Sequence, residues 1–296
     1  MKKWWSVGWA VAGIAVLAVQ VGAQDVIVSP EWLSENLVDV TVVNVEFRPD
    51  DFDEEHIPGA HQVMWESFVS NEVPNSEMRS VEEMAGVFRK AGVSNDEPVV
   101  VYSSHPIAAS RAFLVLEYLG HERVHVLDGG LAAWKDAGMT VESGAIPAAE
   151  GTFTPNPRPE ILVDSDWMME NMDNASVNFI DARPDDEYTG EGVEESEMMK
   201  RGHIPGANQI FYSDLIRDMD GDRRFLDLDG LVARFDQANA EDGQTLVSYC
   251  MVGMRASVTY MVSRHLGYDA KFYDGSWHDW SMKDLPRVEG PDPKGN

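Results

Sequence analysis

The segment LVSYCMVGMRASVTYMV, Leu246 to Val262, contains the chain's only cysteine, Cys250. Its lead-in, Gln244 to Cys250, is short, apolar and β-branched, the pattern of a buried strand. From Arg255 the pattern changes to that of a helix, which closes on Gly267. The intervening Met251, Val252, Gly253 and Met254 leave room only for a tight loop, and Gly253 supplies the backbone freedom it needs. Strand, tight turn and helix form the repeating unit of a parallel sheet, because the helix carries the chain back to start the next strand. Ligands gather beyond the carboxyl ends of such strands, where Cys250 lies. Converging loop N–H groups and the positive end of the helix favour a thiolate there, and favour any anion built on its sulfur. The competing reading is an inert core thiol. An internal disulfide is excluded by the count of one cysteine.

Working outward, the chain repeats itself. HIPGAHQV (His56–Val63) returns as HIPGANQI (His203–Ile210), 147 residues later. At the same offset VYSSHPIAASRAFLVLEYLG (Val101–Gly120) lies over SYCMVGMRASVTYMVSRHLG (Ser248–Gly267). LDGGLAAW, ending at Trp134, matches YDGSWHDW, ending at Trp280, and VEFRPDDF around Arg48 matches IDARPDDEY around Arg183. The second copy has an insertion, TGEGVEESEMMK, before its HIPGA element. In the first copy TVVNVE and PVVVYS read as strands, and SVEEMAGVFRKAG and AASRAFLVLEYLG as helices. Ser80 and Glu83 form a capping box and Gly92 closes that helix. In the second copy ASVNFID, QTLVSYC and DAKFYDG are strands, while LDGLVARFDQA, RASVTYMVSRHLG and SWHDWSM are helices. The fold class is therefore α/β: two tandem domains, each a parallel sheet flanked by helices on both faces. The Pro/Gly/Ala-rich stretch SGAIPAAEGTFTPNPRPE places a linker at residues 144–160, between domains at 24–143 and 161–296.

Residues 1–23 carry Lys2 and Lys3, then an uncharged apolar run ending in Val21-Gly22-Ala23, which reads as a signal peptide cleaved after Ala23. That reading implies export, to the periplasm in a bacterium. An uncleaved anchor is the alternative, since Trp4 to Ala23 is long enough to span a bilayer. Acidic residues outnumber basic ones by 51 to 23, and the excess is shared by both copies. Such a coat excludes nucleic acid and an anionic membrane surface as partners of the exported domains. DMDGD (Asp218–Asp222) lacks the closing glutamate of a calcium loop and reads as a turn, so no metal site is expected.

Phe52 four residues before the first HIPGA, the strand–Cys–loop–helix at Cys250 and the closing YDGSWHDW together resemble the tandem rhodanese family. These are the thiosulfate and 3-mercaptopyruvate sulfurtransferases. The resemblance implies a catalytic C-terminal domain and an N-terminal copy without a nucleophile. Ser103 stands where Cys250 falls, and His105-Pro106 interrupts the loop. It also implies two chemical steps and no cofactor. The Cys250 thiolate takes sulfur from a small anionic donor as a persulfide, and a thiophilic acceptor (cyanide, a thiol or a thiol protein) removes it. The loop backbone from Met251 to Met254 would cradle that persulfide. Arg183, in the DxR element, is the cation the family uses for the donor's anionic group; the competing reading is an ordinary ion pair. Arg255 either faces the donor or pairs with Glu187 or Asp181. His56 and His203 are read as holding loops, and Trp277 and Trp280 as packing.

The sequence also departs from these relatives. Thiosulfate-type members carry basic residues after the cysteine, and mercaptopyruvate-type members a Gly-Ser pair whose hydroxyl aids proton transfer. This chain has Met251 and Val252 there, and Glu187 where many tandem members have a second arginine. Lacking the serine relay, the loop favours thiosulfate or a persulfide over mercaptopyruvate as donor. Phosphatases and arsenate reductases of the same fold need a wider loop for a tetrahedral oxyanion than the four residues between Cys250 and Arg255. A sulfur carrier that passes its sulfur only to a partner protein is the non-enzymatic alternative.

Overall fold

The computed structural model describes residues 25–295 apart from 49–50, 71–76, 145–148, 192, 197–199 and 220–221, so the segment read as a signal peptide lies outside the described residues. Among the described residues no helix is long and apolar enough to cross a membrane.

The first copy contains, in order, β1 (Ile27–Val28), α1 (Pro30–Asn36), β2 (Thr41–Glu46), β3 (His61–Met64), α2 (Val81–Lys90), β4 (Val99–Tyr102), α3 (Pro106–Tyr118), β5 (Val124–Leu127) and α4 (Gly130–Asp136). Its strands form one sheet in the order β1-β5-β4-β2-β3, and every pairing is parallel. Strands covered on both faces need apolar residues on both, and Val99, Val100 and Val101 have no exposed surface. The capping box forms as the spacing predicts: Ser80 accepts from the Glu83 N–H, and the Glu83 carboxylate accepts from the Ser80 N–H.

The second copy contains β6 (Leu162–Val163), α5 (Ser165–Glu170), β7 (Val177–Asp181), α6 (Asp185–Thr189), β8 (Asn208–Gln209), β9 (Ile216–Met219), β10 (Asp222–Phe225), α7 (Leu228–Gln237), β11 (Thr245–Tyr249), α8 (Ala256–His265), β12 (Asp269–Tyr273) and α9 (Ser276–Met282). The sheet order β6-β12-β11-β7-β8 is the first order repeated strand for strand, again all parallel. The short antiparallel pair β9–β10 answers, at the repeat's offset, to a single antiparallel bridge between Val69 and Met78 in the first copy. It reaches back across the interface, where the Phe225 N–H donates to Asp128 Oδ1 at 2.7 Å and Arg223 donates to the Ser104 carbonyl at 3.0 Å.

The two copies meet along α3 and α8. Every residue of α3 from Pro106 to Glu117 is buried, as is every residue of α8 from Ala256 to Ser263. A helix buried all round must satisfy its polar side chains locally. Glu117 of α3 does so by accepting from Tyr260 Oη at 2.8 Å, Arg264 Nε at 2.9 Å and Arg158 Nη1 at 3.2 Å. Both sheets therefore present the carboxyl ends of their central strands close to a shared, well-packed seam.

Candidate active site

β11 and β7 run parallel with Tyr249 opposite Asp181, so their carboxyl ends finish level. Cys250 follows β11 directly and has no exposed surface. Its peptide is clamped from both sides by the start of α9. The Cys250 N–H donates to Ser276 Oγ at 3.3 Å, while the Cys250 and Met251 carbonyls accept from the Trp277 and His278 N–H groups at 2.8 and 3.0 Å. Ser276 holds this position with φ of +55°, an uncommon conformation for a residue with a Cβ, and its hydroxyl donates to the Tyr273 carbonyl at 2.9 Å. The closing motif thus packs Trp277 and Trp280 as its sequence implies, and its backbone also fixes the loop.

The loop curls through Gly253 at φ +80°. A Cβ there would lie 3.0 Å from the Asp274 carbonyl oxygen and 3.2 Å from its Oδ1. Among the described residues, no protein group accepts a hydrogen bond from the N–H of Met251, Val252, Gly253, Met254 or Arg255. α8 begins immediately afterwards, with no side-chain cap. A run of uncommitted donors at a helix N-terminus is chemically suited to an anion on the adjacent sulfur.

Arg183 is buried completely. Its Nε lies 3.0 Å from Asp181 Oδ1, its Nη2 lies 2.6 Å from Oδ2, and Nη2 also donates to the Gly202 carbonyl at 2.8 Å. The guanidinium stacks 4.6 Å from the Trp277 ring centroid. Burial pushes this guanidinium down, but the Asp181 charge and hydrogen bonds more than offset it and hold it above its ordinary value. The DxR arginine is therefore anchored by an ion pair within its own element, with one nitrogen to spare. Nη1 is buried and donates to no protein group among the described residues.

For Arg255 the sequence left two positions open, and the structure takes the pairing with Glu187. Nη1 and Nη2 reach the two Glu187 oxygens at 2.7 Å each, a bidentate fork. Burial works against this charge, but the Glu187 hydrogen bonds and the charge on Cys250 outweigh it, raising Arg255 above its ordinary value. His203 holds its loop, with Nδ1 2.9 Å from the Tyr188 carbonyl and its ring stacked 3.8 Å from the Tyr188 ring. Ile204 beside it donates to Tyr249 Oη at 3.3 Å, tying the HIPGA loop to the residue before Cys250. His56 does the same in the first copy, stacked on Phe52 at 4.3 Å, with the Ile57 N–H directed to Tyr102 Oη at 3.4 Å.

The first copy's loop is filled by its own carboxylate. Glu46, aligned with Asp181, accepts from the Ser104 N–H at 2.5 Å, from Ser104 Oγ at 2.6 Å and from Ser103 Oγ at 3.3 Å. The His105 N–H goes to Ser103 Oγ at 3.0 Å, and the Ile107 N–H to His105 Nδ1 at 3.3 Å. Sequence reasoning did not identify Glu46, Ser276, Asp274 or Arg111 as site-forming residues. Ser276 and Asp274 lay inside the recognised closing motif, but no signal marked Arg111, which is far away in the chain and in the copy without a thiol.

A rhodanese-like domain profile matches residues 29–137 and again residues 164–283. The chain is 31% identical to 3-mercaptopyruvate sulfurtransferase of Escherichia coli K12 over 276 residues, covering 88% of this chain and 96% of that one. It is 29% identical to the mitochondrial thiosulfate/3-mercaptopyruvate sulfurtransferase 1 of Arabidopsis thaliana over 301 residues, covering 90% and 79%. The crystal structure of SseA from Escherichia coli, described as a 3-mercaptopyruvate sulfotransferase with the rhodanese fold, matches with a TM-score of 0.72 at 27% identity, covering 86% and 99%.

Proposed function

The chain belongs to the rhodanese family of sulfurtransferases, and on that premise we propose that Cys250 carries sulfane sulfur from thiosulfate to a thiophilic acceptor. The observation behind this reading is the single thiol at the end of β11, followed by five backbone N–H groups that no described protein group uses. In the first step the thiolate attacks the outer sulfur of thiosulfate. The donor's S–S bond breaks, its electron pair leaves with sulfite, and the terminal sulfur of the new persulfide keeps the negative charge. The loop N–H groups stabilise that charge, as oxyanion-hole donors do for oxygen. In the second step cyanide or a thiol attacks the terminal sulfur and the Cys250 thiolate returns. This is covalent, ping-pong chemistry.

Thiosulfate is favoured as donor because sulfite leaves without needing a proton. Mercaptopyruvate leaves an enolate that must be protonated, and Met251 and Val252 offer no hydroxyl for this. Arg183 enters the reading through Nη1, which among the described residues has no hydrogen-bond partner. Arg255 is assigned to hold the loop against α6 and to place positive charge beside Cys250. Export is part of the same reading and rests on the sequence of residues 1–23 alone; a mature protein beginning at Gln24 in a periplasmic fraction would test it.

The decisive experiment is intact-mass analysis after incubation with thiosulfate, with mercaptopyruvate and with a phosphoryl donor. Thiosulfate adds one sulfur, which cyanide removes and Cys250→Ser prevents. A phosphoryl adduct, or sulfur on another residue, overturns the proposal. Arg183→Lys keeps a cation beside Asp181 but loses Nη1, and it slows loading more than unloading. Equal slowing of both steps would make Arg183 purely structural. Catalytic turnover of thiosulfate with free cyanide excludes a carrier that serves only a partner protein.

A further inference from the structure

Arg255 closes the Cys250 loop, and a second arginine that contacts the loop comes from the other domain. Arg111 of α3 has no exposed surface, and its Nη1 donates to the Gly253 carbonyl at 3.2 Å. Its Nη2 forms an ion pair with Asp274 Oδ1 at 2.8 Å, and its guanidinium lies 5.4 Å from the Phe272 ring centroid. Asp274 directly follows β12 and leads into α9, the helix that clamps Cys250. Its other oxygen accepts the Met78 N–H at 2.8 Å, a second contact from the first domain. A Cβ on Gly253 would lie 3.4 Å from Arg111 Nη1 and closer still to Asp274, so the loop is pressed directly onto this pair.

We propose that Arg111 is a positioning residue for sulfur transfer. The catalytically silent first domain inserts one buried guanidinium that bridges the Gly253 carbonyl to Asp274 and holds the loop in the shape that turns its N–H groups toward the persulfide. The physical reason lies in the peptide at Gly253. Fixing its carbonyl oxygen on Arg111 fixes the plane of the following N–H, which belongs to Met254, and that is one of the uncommitted donors. Glycine is the residue whose peptide turns most freely, so this point of the loop most needs an outside hold. A lysine cannot replace the arginine, since one ammonium lacks the planar fork that meets a carbonyl and a carboxylate together. The first domain therefore contributes more than a cover to the site, and it acts from within a buried interface.

This inference rests on the sulfurtransferase reading, so its test needs a readout independent of turnover. Full-length wild type, Arg111→Ala, Arg111→Lys and Asp274→Asn are compared in two assays: sulfur loading of Cys250 from thiosulfate, and the pH profile of Cys250 alkylation by iodoacetamide. Arg111→Ala is expected to lose about 10- to 100-fold in loading rate, the scale of a small misplacement at a reacting centre. Its alkylation profile shifts, and Arg111→Lys recovers only a minor part of either. Millimolar guanidinium restores loading in Arg111→Ala severalfold and leaves wild type unchanged. A variant damaged only in stability gains nothing from a denaturing cation. If Arg111→Ala proves unfolded, Asp274→Asn carries the same expectation with smaller disruption. Wild-type loading and alkylation in Arg111→Ala or Asp274→Asn, or loss in a folded Arg111→Ala without guanidinium rescue, overturns the positioning role. If wild type takes up no sulfur while the alkylation profile still depends on Arg111, the chemistry assigned to Cys250 has failed and the brace stands.

Discussion

The loops after β4 and β11 are built on one plan and have opposite contents. Both follow the central strand of an identical five-stranded sheet, and both lead into an almost wholly buried helix. In the first copy a Glu46 carboxylate sits in the loop, drawing the Ser104 N–H and two hydroxyls onto itself. In the second the aligned residue is Asp181, one methylene shorter and bound to Arg183, and the loop's N–H groups have no partner among the described residues. The first loop supplies its own anion; the second is left to receive one. A missing cysteine is thus only one of the differences between the two loops. Its cradle is also occupied and its helix starts early, with Pro106 at the first turn and His105 as N-cap.

The most forceful way to break this comparison is to move the thiol. Cys250→Ser should reduce sulfur uptake by about a thousandfold or more, as loss of a covalent nucleophile does. Adding Ser103→Cys to that variant should restore nothing measurable by intact mass, because the new thiol faces Glu46. If the relocated thiol loads sulfur at a useful rate, occupancy by Glu46 does not keep the first loop from receiving sulfur. Further change of Glu46→Gln should then raise its alkylation rate without creating turnover.

Next comes the loop's curl. Gly253→Ala places a Cβ against Asp274 at a backbone angle few residues adopt, a strain of about 1–3 kcal/mol. The expected result is a fall of about a hundredfold in loading and a lower Tm, whereas Gly138→Ala in the first copy, at a similar φ but with nothing within 4 Å of its Cβ, should alter stability alone. A smaller effect is expected at the Arg255–Glu187 fork. Glu187→Gln leaves a partly buried guanidinium without its carboxylate, which costs about 1–3 kcal/mol. Loading should fall about tenfold because the loop loses its tie to α6. A variant of unchanged rate would move Arg255 from holding the loop to no role at all.

What the sequence made legible follows from how each feature is encoded. The repeat, both sheets, the Ser80 cap, and α8 and α9 are written in local patterns of apolar spacing and turn residues, and the structure follows them closely. Cys250 and its glycine were legible because strand, loop and helix are contiguous. The short elements β1, β6, β8 and α6 span too few residues to carry a period, and the β9–β10 hairpin is polar and strongly charged. The Glu46 plug and the Arg111 brace depend on contacts across long stretches of chain, which no window of one sequence contains. Arg183 shows the limit of motif reasoning. The motif located the residue beside the site, and burial beside Asp181 decided how much of it remains available.

The gentlest test of the pairing of the two copies is pH. In each copy desolvation holds two histidines below their ordinary value, His121 and His125 in the first and His203 and His265 in the second. Among the described residues His203 Nε2 and His265 Nδ1 are buried without a hydrogen-bond partner, so nearby acidic groups offset only part of the cost of a proton added there. The sign follows from linkage. The unfolded chain takes up these protons near pH 6.5, while the folded chain refuses them until a lower pH, so the unfolded state binds more protons in that window. Stability from these groups is complete above about pH 6.5 and is lost as pH falls through the depressed folded values. Thermal melts should therefore give a Tm that is flat toward alkaline pH and declines on the acid side. His203→Gln should flatten part of that decline, because the amide keeps a donor for the Tyr188 carbonyl and takes no proton. His121→Gln should flatten another part, independently and additively, since the two lie in separate domains. Strong non-additivity between them would mean that the domains do not titrate as separate copies, and that the seam between α3 and α8 couples them.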